Sequence, residues 1–147
     1  MNTTEQNDTV VETLKKSFSV KVVGVGGAGV NVMELMLKSA PPGVGFAAVN
    51  TDAQSLAASS ASVKVHLETQ FLRGLGTGGD PDRGRALAEE QLPKLKSLCE
   101  GADVVFILAG LGGGAGTGIS PVLARAAKEA GALVLGFVTT PFTCEGT

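Results

Sequence analysis

The sequence is poor in the residues that several common functions require. Cysteine occurs twice, as Cys99 and Cys144, with no CxxC spacing, and His66 is the only histidine. Two distant cysteines fit a reducing compartment and supply no metal site. Twelve lysines and arginines stand against fourteen acidic residues, which leaves a net charge of -2. No basic surplus therefore points to a nucleic-acid partner.

Long apolar runs are absent as well. The first sixteen residues are polar and contain no hydrophobic segment of the kind that a secretory signal peptide carries. The apolar stretch 104–109 is far shorter than the roughly 20 residues that a transmembrane helix needs. We therefore expect a soluble, cytoplasmic protein with no direct membrane insertion.

Glycine is the abundant residue, with 21 copies in 147 residues, about twice its usual share of roughly 7%. The glycines cluster between apolar runs, which favours backbone placed close to a ligand over a low-complexity segment. The length fits one domain, and 44% hydrophobic residues are enough for a single core.

Strand, glycine loop and helix recur along the chain after a polar arm, residues 1–17, that we expect to be disordered. Strands are predicted at 20–25, 46–49, 63–67, 104–109 and 133–139. A first helix is predicted at 31–39, and a second, short one follows a cap at Thr51 or Asp52. A third is predicted at 81–98, with a kink or restart at Pro93. The fourth runs from Ser120–Pro121 to Ala130 and is ended by Gly131. The pattern predicts an α/β fold with a Rossmann-like, mainly parallel sheet and helices on both faces. Ligands of such sheets bind at the carboxyl ends of the strands.

The first glycine cluster, residues 24–29, fits G-x-G-x-x-G between a strand and a helix. Without Cβ atoms, backbone N–H groups can approach a diphosphate, and the helix N-terminus adds its positive dipole end. A single match points to NAD as readily as to GTP, and a tight turn without a ligand is the alternative.

The second cluster, residues 110–118, follows the most apolar predicted strand. Its successive N–H groups are suited to wrapping anionic oxygens, and the Thr117 hydroxyl is a possible further donor. No G-x-x-x-x-G-K-[ST] is present, which disfavours a P-loop NTPase. A flexible loop is the alternative, but beside a buried strand it would cost ordering entropy for no gain.

Five segments together resemble the FtsZ/tubulin family of GTPases, over residues 21–147. They are GVGGAGVN at 24–31, NTDAQSL at 50–56, GLGTGGDPDRGR at 74–85, GLGGGAGTG at 110–118 and VTTPFTCEG at 138–146. The resemblance implies phosphate loops in the first four segments, the third sensing the γ-phosphate, and a ribose-side loop in the last. The implied nucleotide-binding residues are Gly26, Gly27, Ala28, Gly29, Val30, Asn31, Asn50, Thr51, Gly76, Thr77, Gly78, Gly79, Gly112, Gly113, Gly114, Ala115, Gly116, Thr117, Pro141 and Glu145.

The same resemblance implies a function in bacterial cell division. It implies GTP or GDP with Mg²⁺ as the bound ligand, head-to-tail assembly with copies of itself, and a cytoplasmic location at the division site. Division-site proteins that tether the filament to the membrane would be its partners.

Two departures from the family pattern affect these expectations. Ala115 stands where the family signature has its first threonine, so one hydroxyl donor to the phosphates is lost. The chain also stops soon after Glu145, before the family's ribose arginine, base-reading residues and catalytic acidic loop. We therefore expect residues 18–147 to be the N-terminal part of the GTPase domain, with no catalytic residue of its own. Hydrolysis would need that loop from a neighbouring subunit, and the chain alone would be inactive.

Two other functions remain open at this point. Asp52 lies 23 residues after Gly29, near where a dinucleotide-binding oxidoreductase has its ribose-binding acid. The glycine loops at 74–79 and 110–118 are not needed for that function and so favour GTP. A module that binds nucleotide without turnover is the third possibility. His66, in a short strand, is expected to be structural.

Overall fold

The computed structural model describes residues 18–68, 77 and 79–140. Within these residues the chain forms five strands and five helices. In chain order they are β1 Val20–Val25, α1 Gly26–Leu37, β2 Val44–Asn50, α2 Ala53–Ala58, β3 Val63–His66, α3 Pro81–Glu90, α4 Leu92–Cys99, β4 Val104–Gly110, α5 Gly114–Glu129 and β5 Leu133–Thr139.

The five strands form one parallel sheet in the order β3-β2-β1-β4-β5. At the end of β1, Val25 pairs with Val49 of β2 on one side and with Ala109 of β4 on the other. This arrangement confirms the predicted Rossmann-like α/β fold. The strand order reverses between β1 and β4, and a crevice forms there at the carboxyl ends of the strands.

Helices cover both faces of the sheet because successive strand residues point to opposite sides. On one face, Val22 packs in a cluster with Met33 of α1 and Leu56 of α2. On the other, Val23 belongs to a cluster with Leu95 of α4 and Leu123 of α5. Strands buried on both faces are continuously apolar, which explains the composition of β4 and, apart from Lys21 near its partly exposed start, of β1.

Two predicted helix starts are wrong. Helix α1 begins at Gly26 rather than Asn31, and α5 begins at Gly114 rather than at Ser120. Pro121 therefore lies inside α5 instead of at its first position. Glycine's low helix propensity suggested loops, but close packing of these glycines against neighbouring backbone outweighs it.

Other local predictions are confirmed. The 81–98 segment is divided into α3 and α4 at Gln91, with Pro93 in the first turn of α4. Helix α2 is capped by Asp52, whose Oδ1 accepts hydrogen bonds from the N–H groups of Gln54 (2.9 Å) and Ser55 (3.4 Å). Gly131 follows α5 with a φ of +88°, the conformation expected of a residue that ends a helix.

Strand β5 carries large apolar side chains that the described residues leave exposed, among them Leu133 and Phe137. The Phe137 ring stacks on Phe106 of β4, with 5.9 Å between ring centroids. None of the helices in the described part of the chain is both long and apolar enough to span a bilayer.

Candidate functional site

A cavity of about 670 Å³ lies at the carboxyl edge of the sheet, where the ends of β1, β2, β4 and β5 meet. The first turns of α1 and α5, the β2–α2 turn and the segment before α3 complete its walls. The lining residues are Val25, Gly26, Gly27, Ala28, Asn50, Thr51, Asp52, Ser55, Thr77, Gly79, Gly110, Leu111, Gly113, Gly114, Ala115, Gly116, Thr139 and Thr140.

Two helix N-termini converge on this cavity. The N-cap residues of α1 and α5 are Val25 and Gly113, and neither residue supplies a side-chain capping hydrogen bond. The helices start so close together that a Cβ built on Gly26 would lie 3.1 Å from the Gly116 nitrogen. Uncapped first-turn N–H groups and two positive dipole ends therefore face the same space, which suits an anion such as a phosphate.

The glycines around the cavity divide into two groups by the space beside each Cα. Gly27, Gly79 and Gly113 have no atom within 4 Å of an added Cβ, so their missing side chains leave room for a ligand. Gly29 and Gly116 instead pack against carbonyl oxygens, those of Leu108 and Gly110, respectively, so closely that no Cβ would fit. These two glycines bring α1 and α5 close to the strands, and Gly116 also lines the cavity.

Close packing also joins α3 to α5. A Cβ on Gly84 would overlap the Gly114 carbonyl, and one on Gly118 would overlap the Pro81 carbonyl. Thr77, which is buried, rests against Gly114, where an added Cβ would lie 2.7 Å from the Thr77 Cβ. The packing thereby holds Thr77, and the start of α3 after it, against the cavity.

The loop between β4 and α5 is held by two hydrogen bonds. The Leu111 N–H donates to the Thr139 carbonyl (2.8 Å), and the Gly112 N–H donates to the Thr117 hydroxyl oxygen (2.8 Å). Gly112 has a φ of +103°, a conformation that glycine adopts without strain. Thr117 thus orders this loop from inside α5 and does not line the cavity.

The turn between β2 and α2 forms the opposite wall. The buried Asn50 side chain accepts hydrogen bonds from the N–H groups of Thr51 (2.8 Å) and Asp52 (3.4 Å). The His66 ring lies 3.1 Å from the Thr51 carbonyl oxygen. This ring is half-buried, and the structural role expected of His66 stays a prediction.

Asp52 is the only charged residue among the described lining residues. Its pKa is lowered, chiefly by the hydrogen bond from the Ser55 N–H, and its Oδ2 also accepts from the Ser55 hydroxyl (3.1 Å). Because this carboxylate is already used to cap α2, it is poorly placed to bind a ribose diol as a dinucleotide enzyme would require. Positive potential at the site comes from peptide groups, since no lysine or arginine is part of the described lining.

The structure brings most of the predicted site residues together. Eleven of them line the cavity, namely Gly26, Gly27, Ala28, Asn50, Thr51, Thr77, Gly79, Gly113, Gly114, Ala115 and Gly116. Five do not, because Gly29 and Val30 are buried against the sheet, Asn31 is exposed on α1, Gly112 lies in the loop behind the cavity, and Thr117 lies in α5 and bonds that loop. Gly76, Gly78, Pro141 and Glu145 lie outside the described residues.

Several residues that line the cavity were not predicted to be site residues. Gly110, Leu111, Thr139 and Thr140 end β4 and β5 or follow them directly. The rule that ligands bind at the carboxyl ends of parallel strands could have found them. Ser55 had no such signal, because it lies in the first turn of α2, where its hydroxyl donates to Asp52.

Residues 19–147 match the sequence model of the Tubulin/FtsZ family, GTPase domain. The chain belongs to this family. It is 39% identical to FtsZ from M. jannaschii in two solved structures. A mutant form superposes with a TM-score of 0.85, over 97% of this chain and 43% of that one. An empty dimer superposes with a TM-score of 0.86, over 96% and 41%.

A structure of CetZ2 from Haloferax volcanii, described as a GTPgS-bound protofilament, is 30% identical, with a TM-score of 0.70 over 81% of this chain and 39% of that one. The chain thus spans about two fifths of the length of these solved relatives. The family match supports the nucleotide-binding GTPase interpretation and gives no support to the NAD alternative.

Proposed function

We propose that this chain binds GTP and GDP through the cavity at the carboxyl edge of its sheet, as the phosphate-binding part of a filament-forming GTPase. The convergence of two uncapped helix N-termini on one cavity carries the proposal. Phosphate oxygens there would receive hydrogen bonds from backbone N–H groups, which need no counter-charge from lysine or arginine. Mg²⁺ would accompany the nucleotide by way of its phosphate oxygens.

The fit of a nucleotide follows from the shape of the site. About 670 Å³ is within the usual range for a small-molecule site, and the open glycines Gly27, Gly79 and Gly113 face it. The resemblance to the family supports Pro141 and Glu145 as ribose-side residues of the site. It likewise supports Gly76 and Gly78, with Thr77 and Gly79, as residues that sense the γ-phosphate.

The chain would hydrolyse GTP only with help from another subunit. In this proposal the phosphate cradle stabilises charge on the transferred group, and a neighbouring copy stacked head to tail supplies the groups that activate water. The relatives support self-association, since their structures include an FtsZ dimer and a CetZ2 protofilament.

Similarity to FtsZ also supports a role in bacterial cell division, with the filament assembled in the cytoplasm at the division site and tethered to the membrane by partner proteins. The relatives include CetZ and TubZ as well, so this role is the narrower part of the proposal. Depletion of the protein in its host tests it: filamentous cells without septa are expected, and normal septation would contradict it.

Calorimetry with GTP, GDP, ATP and NAD tests the ligand. We expect guanine nucleotides to bind and NAD not to bind. Replacing Gly113 with leucine places a side chain in the open space of the cavity and should abolish binding while the protein stays folded. Gly136→Leu is the matched control, because Gly136 also has open space beside it but lies in β5 outside the cavity. NAD binding without GTP binding would refute the proposal.

A further inference from the structure

Strand β3 places the chain's one histidine beside the nucleotide cavity. In the parallel pairing of β2 and β3, His66 is the partner of Asn50, the residue at which the cavity-lining turn begins. The ring reaches across this pairing, so that its Nε2 lies 3.1 Å from the carbonyl oxygen of Thr51. The contact therefore joins a side chain of the edge strand to the backbone of the turn.

The chemistry of this contact determines where the ring proton is. A carbonyl oxygen can only accept a hydrogen bond, so Nε2 must carry the hydrogen and donate it. The other ring nitrogen, Nδ1, faces the carboxylate of Glu68, with 3.7 Å between Nδ1 and Oε2. The Glu68 carboxylate is too distant to accept a hydrogen bond from Nδ1, so the bond to the Thr51 carbonyl is the contact that selects the Nε2–H form of the neutral ring.

Asn50 and Thr51 of the turn that receives this bond are buried, and other polar groups of the turn are also hydrogen-bonded. The Asn50 side chain accepts from the two N–H groups that follow it, the Leu67 N–H donates to the Asn50 carbonyl (3.0 Å), and Asp52 caps α2. The His66 bond fixes the peptide between Thr51 and Asp52. That peptide sets how the Thr51 and Asp52 side chains meet the cavity.

We propose that His66 is a positioning residue of the nucleotide site, whose Nε2–H holds the Thr51 carbonyl and with it the cavity-facing orientation of the Asn50–Asp52 turn. His66 itself does not line the cavity, so it acts through the turn. The inference rests on the proposed function for its effect on nucleotide affinity, but the hydrogen bond can be tested without nucleotide.

The first experiment measures GDP and GTP affinity by calorimetry in three variants. His66→Ala removes the donor and should weaken binding about fivefold, the effect of losing one ordinary hydrogen bond. His66→Gln places an amide N–H near the position of Nε2 and should recover most of that loss. Lys64→Ala is the matched control, because Lys64 is on the same strand and its side chain does not line the cavity; it should bind as the unchanged protein does.

Equal affinity of His66→Ala and the unchanged protein would overturn the inference. So would a His66→Gln variant as weak as His66→Ala, since loss of packing rather than of the hydrogen bond would then explain the effect.

The second experiment uses ring-nitrogen NMR and amide hydrogen exchange in the absence of nucleotide. With one histidine in the chain, the imidazole signals need no assignment. We expect the neutral ring to be in the Nε2–H form, and we expect His66→Ala to speed amide exchange at Gln54 and Ser55. An Nδ1–H ring, or unchanged exchange, would overturn the inference. If the unchanged protein bound no nucleotide, the proposed function would fail, and these two measurements would still decide whether His66 holds the turn.

Discussion

Gly27 and Gly29 of α1 are only two residues apart, but they differ in the space available for a side chain. Gly27 has open space beside it, whereas a Cβ on Gly29 would overlap the Leu108 carbonyl. We expect Gly27→Ala to raise the free energy of unfolding by up to about 1 kcal/mol, since alanine is the better helix former. Gly29→Ala should lower it by about 1–3 kcal/mol through overpacking. Urea denaturation measures both, and changes of the same sign would contradict the assignment.

Ala115 is the residue at which this chain departs from the family signature. It lines the cavity near Gly26, where a Cβ would come within 3.4 Å of its methyl group. Ala115→Thr adds a hydroxyl donor at the first turn of α5. We expect GTP to bind about tenfold more tightly, equivalent to about 1.4 kcal/mol for a hydrogen bond to a charged oxygen. Calorimetry measures the GTP affinity of Ala115→Thr against that of the unchanged protein. Unchanged or weaker binding would show that the hydroxyl does not reach a phosphate.

At the scale of elements, an ion pair between exposed side chains joins α3 to α5. Arg125 donates to both carboxylate oxygens of Glu89, at 2.8 and 2.7 Å. The hydrogen bond from Arg125 is the main reason that the pKa of Glu89 is lowered. A lowered pKa in the folded state means that the pair stabilises the fold above the ordinary glutamate pKa of about 4.3 and loses that effect as the pH falls through the folded value.

Glu89→Gln should therefore flatten the fall in stability between about pH 5 and pH 3, a window set by the ordinary glutamate pKa and its lowering here. Arg125→Gln should flatten it in the same way, because it removes the same interaction. Urea denaturation over a pH series measures the effect, and curves parallel to that of the unchanged protein would refute it.

Elements were predictable from the sequence where the local pattern and the tertiary packing agree. The β-branched run of β1 and the apolar run of β4 indicated buried parallel strands, and Asp52 and Gly131 marked helix ends correctly. The starts of α1 and α5 were missed because glycine locally favours a loop. Only the contacts of Gly84 with α5, and of Gly29 and Gly116 with strand-end carbonyls, show why these glycines are helical.

The position of the site was predictable from local sequence patterns, but its full set of residues was not. Glycine clusters after strands located the cavity, but the motif extends along α1 beyond the turn that reaches it. By Val30 the helix has rotated toward the core, and Asn31 is exposed and does not line the cavity. The contribution of His66 depends on a strand pairing that no local pattern reveals.

At the scale of the whole molecule, the edge strand β5 is far more exposed than the helix α5 that packs on the sheet. In the part of the chain that the structure describes, Leu133 of β5 is 61% exposed, while Leu123 of α5 is fully buried. Leu133→Lys should change the free energy of unfolding by no more than about 0.5 kcal/mol and reduce self-association. Leu123→Ala should cost about 2–5 kcal/mol. Thermal unfolding measures the stability of both variants, and sedimentation velocity measures the self-association of Leu133→Lys. A large loss of stability in Leu133→Lys would show that β5 is covered.

The uncapped starts of α1 and α5 have a consequence for how the site can be regulated. Attraction for phosphate that comes from peptide N–H groups has no pKa within the physiological range, and acetylation or methylation of side chains does not remove it. Anion binding here should persist across changes of pH and covalent modification that would inactivate a lysine-based site. Control of such a site has to act on geometry, by moving one helix start relative to the other.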